Sequence, residues 1–266
     1  MTAMHNHSNA KSIGNEPELN DAAVDEMLRD AHVGISRVLW SIKRPVARAG
    51  EIPSPIGKLF FAESDRGLAA IHFLFSGSGD RTIDRLRRKF ELVENEPASR
   101  RIATDIRRYF DGDIAVTQRP VDLRIVESDF QRRALEKLRT VPAGSVISYS
   151  GLAAAVGKPD SQRAIGNTMA SNPVPIFVPC HRVVRSDGSI GNYGGGVPNK
   201  VRMLRIEGFK VGPGLRIGPR AVFGNRANSI FCRPECPSAT DSGLIFADAD
   251  AAIRAGLRAC RRCMPA

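Results

Sequence analysis
Cys180 and His181 stand side by side in "VPCHRV", residues 178 to 183, at the end of an apolar run rich in β-branched residues. A thiol becomes a strong nucleophile when a base takes its proton, so a Cys–His pair suits attack on an electrophilic carbon. Successive side chains of a straight strand point to opposite faces, and the pair can cooperate only if the chain turns at the Pro179 step. A carboxylate behind the imidazole would fix its tautomer, and Glu207, closing the next helical segment, is the nearest reasonable candidate. A lone cysteine in such a run is more often a small buried hydrophobe. The adjacent histidine weakens that reading. A dyad that turned over repeatedly would make a cysteine hydrolase or protease, whereas one irreversible transfer per molecule would make a stoichiometric acceptor.

The other four of the five cysteines fall in the last 35 residues. Cys232 and Cys236 form CxxxC, Cys260 and Cys263 form CxxC, and 23 residues separate the pairs. Two close pairs of thiolates suit tetrahedral zinc, which would supply folding free energy that so small a unit could not draw from its own core. A reducing compartment favours metal binding over disulfides. His5 and His7 lie in a polar N-terminal stretch and are assigned no role.

The chain of 266 residues carries a net charge of +11, and the excess sits C-terminally: residues 121–211 hold thirteen Lys/Arg against seven Asp/Glu. That balance suits a polyanionic partner, with nucleic acid first. No apolar run reaches the roughly 20 residues needed to span a bilayer, and the N-terminus lacks the charged-then-apolar order of a secretory signal. These features predict a cytoplasmic protein, or a nuclear one in a eukaryote.

The elements that must position these groups follow from spacing and punctuation. Residues 1–47 read as a polar, partly disordered extension with one amphipathic helix in "DAAVDEMLRDAHVGISRVLW". "KLFFAES" and "LAAIHFLF" read as strands joined at Gly67, followed by two helices with basic outer faces; nothing in this unit, which ends near Pro120, looks catalytic. "SDFQRRALEKLRT" has a capping-box start at Ser128 and an apolar face of Phe130, Ala134, Leu135 and Leu138. Two short helices follow, one capped by Ser150 and closed at Gly157, the other starting at Asp160, and together they form a helix-turn-helix candidate. In the second, Ile165 and Met169 face the core, while Arg163, Ala164, Asn167 and Ala170 make a small-residue face with one long cation. A minor groove ~6 Å wide admits a helix closely only if its side chains are small. "PVPIFVPCHRVV" reads as a buried extended segment and residues 212–227 as a linker.

The stretch from "FQRRALEKLRT" through "ISYSGLA", "NPVPI", "PCHRVV" and "GNYGGG" to "RIEG" resembles the catalytic domain of the O6-alkylguanine-DNA alkyltransferases. The block "IPSPIGKLFFAESDRGLAAIHF" resembles that family's N-terminal domain of ribonuclease-H-like fold. The resemblance implies an α+β protein with a ribonuclease-H-like domain over residues 48–122, a helix-turn-helix-containing alkyltransferase domain over 123–211, and a zinc-binding domain over 228–266. It implies irreversible, single-turnover repair of O6-alkylguanine, and of O4-alkylthymine, in double-stranded DNA by a monomer with no small-molecule cofactor and no membrane partner. Cys180 matches the alkyl acceptor, His181 the base acting through a bound water, and Glu207 the carboxylate that orients it. Asn172 matches the residue bracing the turn between recognition helix and active-site segment. Tyr149 matches the residue that helps rotate the nucleotide out, and Arg163 the one that fills its place, with Ala164 and Asn167 beside it on the DNA. Val183, Tyr193, Gly194 and Gly195 match the pocket wall. Leu135 stands where the family often has Trp, which touches packing alone.

"FCRPECPSATDSGLIFADADAAIRAGLRACRRCMP" resembles the zinc domain of the adaptive-response protein Ada, with Cys232, Cys236, Cys260 and Cys263 as ligands. In that family the first cysteine also accepts methyl from phosphotriesters. Here the reversed domain order and an altered upstream "GNRANSI" favour a structural zinc over a second acceptor at Cys232. A non-catalytic zinc-dependent DNA-binding or regulatory protein is the remaining alternative.

Overall fold
The computed structural model describes residues 44–74, 79–218, 220–225, 227–239 and 243–265, with helical positions 26, 28, 29 and 31 ahead of them. The chain divides into two units, Met1–Arg44 and Pro45–Ala266. In the first, Glu26, Leu28, Arg29 and Ala31 are helical; the rest of the helix expected over residues 21–40 lies outside the described residues, as do His5 and His7. Among the described residues no helix is long and apolar enough to cross a membrane.

The second unit is α+β and opens with strands β1 (Val46–Ile52), β2 (Leu59–Ser64) and β3 (Gly67–Phe73). The β2–β3 hairpin closes where expected, with Gly67 at φ 129° and a Cβ there only 2.3 Å from the Pro120 carbonyl oxygen. Helix α1 (Gly79–Lys89), strand β4 (Glu91–Glu94) and helix α2 (Glu96–Phe110) follow. The sheet runs β3-β2-β1-β4, so β1, in a stretch where the sequence singles out no strand, is an interior strand. Its alternating burial is carried by Ala47, Ala49 and Ile52, residues too small or too sparse to announce a strand. Asn95 caps α2 by accepting from the Ala98 amide, and Ile102, Ile106 and Tyr109 form its buried stripe.

The remaining elements are α3 (Asp129–Arg139), β5 (Ser145–Ser148), α4 (Tyr149–Ala155), α5 (Gln162–Ala170), β6 (Val183–Val184) and α6 (Val197–Ile206). Then come β7 (Val222–Asn225), β8 (Ile230–Cys232), β9 (Leu244–Phe246), α7 (Ala249–Arg254) and β10 (Arg258–Ala259). Ser128 caps α3 as expected, and Ala134, Leu135 and Leu138 are buried. Two start signals move. Ser148, rather than Ser150, accepts the Gly151 amide at the head of α4, because Ser148 sits in the extended conformation that a cap requires; α5 begins after Ser161 without a side-chain cap.

The second sheet runs β10-β8-β7-β9-β5-β6. Strands from the four-cysteine segment thereby continue the sheet that carries β5 and β6, with Val146 paired to Ile245. β7, within the stretch read as a linker, is an interior strand of it. β5 and β6 are too short to be stable as a pair, and three or more strands with a packed face are required. Along β5, Val146 joins one apolar cluster with Val184, Leu204 and Ile245, while Ile147 faces the larger core on the other side.

The join is tight at one place. The Gly243 carbonyl accepts the Ser148 amide at 2.8 Å, and a Cβ on Gly151 would lie 2.4 Å from the Gly243 Cα. Gly151→Ala is therefore expected to destabilise the fold by about 1–3 kcal/mol, as overpacking against unyielding backbone does. Urea unfolding should show it in the main transition; a C-terminal segment that folded by itself would leave that transition unmoved.

Candidate functional site
Pro173, Pro175 and Pro179 lack the amide hydrogen a sheet ladder needs, so the segment before Cys180 is a run of turns where an extended strand was expected. Ile176, fully buried, sits at φ 76°, a costly conformation for a β-branched side chain. Asn172 holds it from both sides: its Oδ1 accepts the Val174 amide at 3.0 Å, and its Nδ2 donates to the Val178 carbonyl at 2.8 Å. Pro179, at φ −80° and ψ 65°, makes an inverse γ-turn closed by the Cys180 amide on the Val178 carbonyl at 2.8 Å. Cys180–Arg182 then form a single 3-10 turn. The chain thus turns at Pro179, the condition under which the thiol and the imidazole can cooperate.

Cys180 is buried, and burial pushes its thiol pKa up against the opposing pulls of Asn172, the Lys200 charge and the Tyr193 hydroxyl, which lies 4.0 Å from Sγ. The resting group is a thiol, because desolvation outweighs the neighbouring positive charge. His181 is fully buried, and burial pushes its pKa down, so the imidazole is neutral. Its Nε2–H donates to Glu207 Oε1 at 2.9 Å, which leaves Nδ1, buried and with no hydrogen-bond partner among the described residues, as the nitrogen able to take a proton.

Glu207, at the C-cap of α6, takes two parallel bonds from Arg182, Nε to Oε2 at 2.7 Å and Nη2 to Oε1 at 2.8 Å, while Arg182 Nη1 donates to the Val141 carbonyl. Burial favours the neutral carboxyl, but His181 and Arg182 hold its pKa down at about 2. Tyr109 of α2 adds a third donor to Oε1 at 3.0 Å. Lys200, also buried, donates to the Val183 carbonyl at 2.6 Å, and burial lowers it to about 8.

A cleft of about 290 Å³ opens onto Cys180 between Tyr149, Met169, Ala170, Tyr193 and Gly194. Gly195 packs so closely that a Cβ would lie 2.5 Å from the Phe73 ring. Val183 is fully buried and shapes the site through its carbonyl. Arg163 and Asn167 are exposed on α5, with Ala164 half-buried between them, and Arg163 has no ion-pair partner among the described residues. The structure therefore brings Asn172, Tyr149, Tyr193, Gly194 and Gly195 around the Cys180 cleft, joins His181 of the same turn to Glu207, and sets Arg163, Ala164 and Asn167 on the neighbouring helix.

Tyr109, Arg182 and Lys200 are the residues that sequence reasoning missed. Lys200 carried a signal, a cation in register with the buried Met203 and Leu204 of α6. Tyr109 carried none, since it completes an ordinary apolar stripe 98 residues from its partner.

The thiols of Cys232, Cys236, Cys260 and Cys263 lie within 4.8 Å of one another. A tetrahedron with metal–sulfur bonds of ~2.3 Å has sulfur–sulfur edges of about 3.8 Å, so the four fit zinc. Backbone amides of Cys263 and Arg262 pull the Cys260 thiol down to about 7, while burial and the neighbouring thiols push Cys232 up to about 12.

The profile of the 6-O-methylguanine DNA methyltransferase DNA-binding domain matches residues 129–209, and that of the metal-binding domain of Ada matches residues 216–266. The human methylated-DNA–protein-cysteine methyltransferase is 36% identical over 170 residues, covering 62% of this chain and 82% of its own length. The bifunctional transcriptional activator/DNA repair enzyme Ada of Escherichia coli is 38% identical over 157 residues, covering 57% of this chain. The match spans only 43% of Ada itself. The Mycobacterium tuberculosis OGT solved in complex with DNA is 31% identical, covering 60% of this chain and 91% of that one, with a TM-score of 0.49.

Glu207→Gln leaves the buried Arg182 guanidinium without its counter-charge, and an expected loss of about 3–5 kcal/mol should appear in urea unfolding at neutral pH. In the parent protein Glu207 contributes stability that is full above its ordinary value of 4.5 and is lost as pH falls toward about 2. His181 adds acid lability below its ordinary 6.5, since only the unfolded chain then takes up the proton. Stability-versus-pH curves should accordingly be flatter between pH 4.5 and 2 in the Gln variant.

Proposed function
Because the chain belongs to the methylated-DNA–protein-cysteine methyltransferase family and repairs DNA by alkyl transfer to a cysteine, we propose that Cys180 is the acceptor and that one alkyl group from O6-alkylguanine ends on its sulfur. The observation that carries this reading is a buried thiol at the floor of a cleft, in one turn with an imidazole whose open nitrogen is Nδ1. DNA is the partner.

A stacked base cannot reach such a thiol, so the nucleotide must rotate out, at a cost of a few kcal/mol. Tyr149, half-buried at the cleft, assists that rotation, and Arg163 on the exposed face of α5 fills the vacated place, with Ala164 and Asn167 small enough to let the helix approach. Tyr193, Gly194, Gly195 and Val183 hold the flipped base. The thiol proton passes to His181 Nδ1, through water; the sulfur electron pair forms the S–C bond as the C–O6 bond breaks. The oxygen keeps that electron pair, hydrogen bonds from Tyr149 or from backbone amides near Gly194 and Gly195 stabilise the guanine anion, and the anion then takes a proton from solvent while His181 returns its own to solvent. Glu207 stabilises the imidazolium, and Asn172 keeps the Ile176–Pro179 turns in place. The thioether resists hydrolysis, so each molecule reacts once. O4-alkylthymine, similar at the reacting atom, is a second substrate of the same pocket. One chain supplies every group, and the working unit is a monomer acting in the cytoplasm, or in the nucleus of a eukaryote.

The four-cysteine site holds zinc, which when bound draws the thiolates together and stabilises the local fold. We assign it a structural role: Cys232 is buried on β8, whose sheet runs on to β5.

Cys180→Ala is expected to abolish alkyl uptake from an O6-methylguanine duplex, read by mass spectrometry, while DNA binding persists; Cys180→Ser should be nearly as inactive. Uptake by the Ala variant would discard the assignment. With Cys180→Ala, digestion after exposure to methylphosphotriester DNA should find one zinc per chain and no methyl on Cys232; a methyl there would establish a second acceptor. Arg163→Ala should slow repair of the duplex far more than reaction with free O6-benzylguanine, since only the duplex needs extrusion. Equal losses would remove Arg163 from that role.

A further inference from the structure
We propose that Tyr109, contributed by the N-terminal half of the second unit, is a positioning residue for the alkyl transfer: its phenol ties Glu207 to His181 and sets which imidazole nitrogen serves as base. The proposal rests on the reading of Cys180 as the alkyl acceptor.

The hydroxyl donates its hydrogen to Glu207 Oε1 at 3.0 Å and presents its oxygen to His181 Nε2 at 3.2 Å. An ionised carboxylate only accepts, so Nε2 carries the hydrogen and shares it between Oε1 and the phenol oxygen. Both acceptors hold the proton on Nε2 and keep Nδ1 bare. A phenol can donate to one group while accepting from the other; a phenyl ring of the same size can do neither.

The ring is placed from outside the catalytic segment. Tyr109 is completely buried, stands edge-on to Phe110 at 5.3 Å and to His181 at 6.2 Å, and belongs to the helix that packs on β1. Its polar atom therefore reaches the relay from an element 98 residues away from Glu207. The N-terminal half thus acts on the chemistry, beyond packing against it.

The groups that face His181 are Glu207 and Lys200 from α6, Arg182 beside it, Cys180 before it and Tyr109 from α2. Glu207 raises the proton affinity of the imidazole, and Arg182 and Lys200 lower it. Taking away the phenol removes one donor from Glu207, so its negative charge acts more strongly on the imidazole, and His181 accepts a proton at higher pH. It also removes one of the two acceptors that fix the tautomer.

The test is Tyr109→Phe in the full chain, with free O6-benzylguanine as alkyl donor so that DNA binding plays no part. Alkylation of Cys180 should still reach one group per chain. Its rate should fall roughly tenfold, the low end of what hydrogen-bond partners of metal-bound histidines contribute, and the acid limb of the rate profile should move to higher pH. Nitrogen-15 spectra of His181 should show Nε2–H and bare Nδ1 in the parent protein and, in the variant, protonation of Nδ1 at higher pH. A rate matching the parent at every pH overturns the proposal, and so does a loss by one constant factor with unchanged spectra. If the variant fails to fold, the parent spectrum decides alone: an Nδ1–H tautomer at neutral pH overturns the assignment. Failure of the parent protein to alkylate Cys180 would instead remove the alkyl-transfer reading, with the spectra still reporting on Tyr109.

Discussion
One buried carboxylate organises the site. Glu207 receives Arg182 twice, His181 once and Tyr109 once, all within 3.0 Å. A carboxylate removed from water is costly unless its lone pairs are filled, and here four donors fill them. The same bonds tie three parts of the chain together: the end of α6, the 3-10 turn that carries Cys180, and α2 from the N-terminal half. Arg182 extends the tie to the loop after α3 through the Val141 carbonyl. The imidazole has little freedom to turn, and its open nitrogen is set before any substrate arrives, as catalysis by preorganised groups requires.

Cys180 itself is held by a different constraint. Three prolines deny the preceding segment a place in the sheet, Ile176 is forced into a left-handed conformation, and Asn172 clamps the distorted turns from both sides. Burial pushes the thiol pKa up, outweighing Asn172, the Lys200 charge, Tyr193 and a backbone hydrogen bond, which pull the other way. A thiol in this state is protected from casual oxidation and metal capture, whose reactive form is the thiolate. Reactivity therefore depends on a substrate that fills the cleft and on a base ready to take the proton. A protein that can react once gains from such restraint.

The C-terminal segment is built into the catalytic half. Its strands complete a sheet whose first two members, β5 and β6, are short, and its Gly243 presses against Gly151 at the head of the Tyr149 helix. The four-cysteine cluster stands on β8 and beside β10, at the far edge of that sheet from β6. Order at the metal site and order beneath the acceptor are thus parts of one hydrogen-bonded ladder, which accounts for a strand where residues 212–227 had the composition of a linker.

The chemistry-bearing residues that lie close in sequence were legible there: the "PCHRVV" pair, the two cysteine pairs, the small-faced helix with Arg163, the glycines after Tyr193 and the cap at Ser128 follow from residue type and local spacing. Even Glu207 was within reach, one helix beyond His181. Tertiary structure alone decided the rest. β7 is short, and both β1 and β7 carry small residues or glycine, so their alternation is too weak to read, and they become strands because neighbours on both sides offer hydrogen bonds. The turns before Cys180 override a β-branched composition because prolines cannot donate. Whether Cys180 rests as thiol or thiolate depends on desolvation, a property of everything packed around it. Tyr109 reads as one more apolar position on an amphipathic helix, and its role arises from a contact across 98 residues of chain. Local pattern determines which groups are present and which face of an element they share; long-range packing determines which of them meet, because a hydrogen bond between distant segments leaves no periodicity in either.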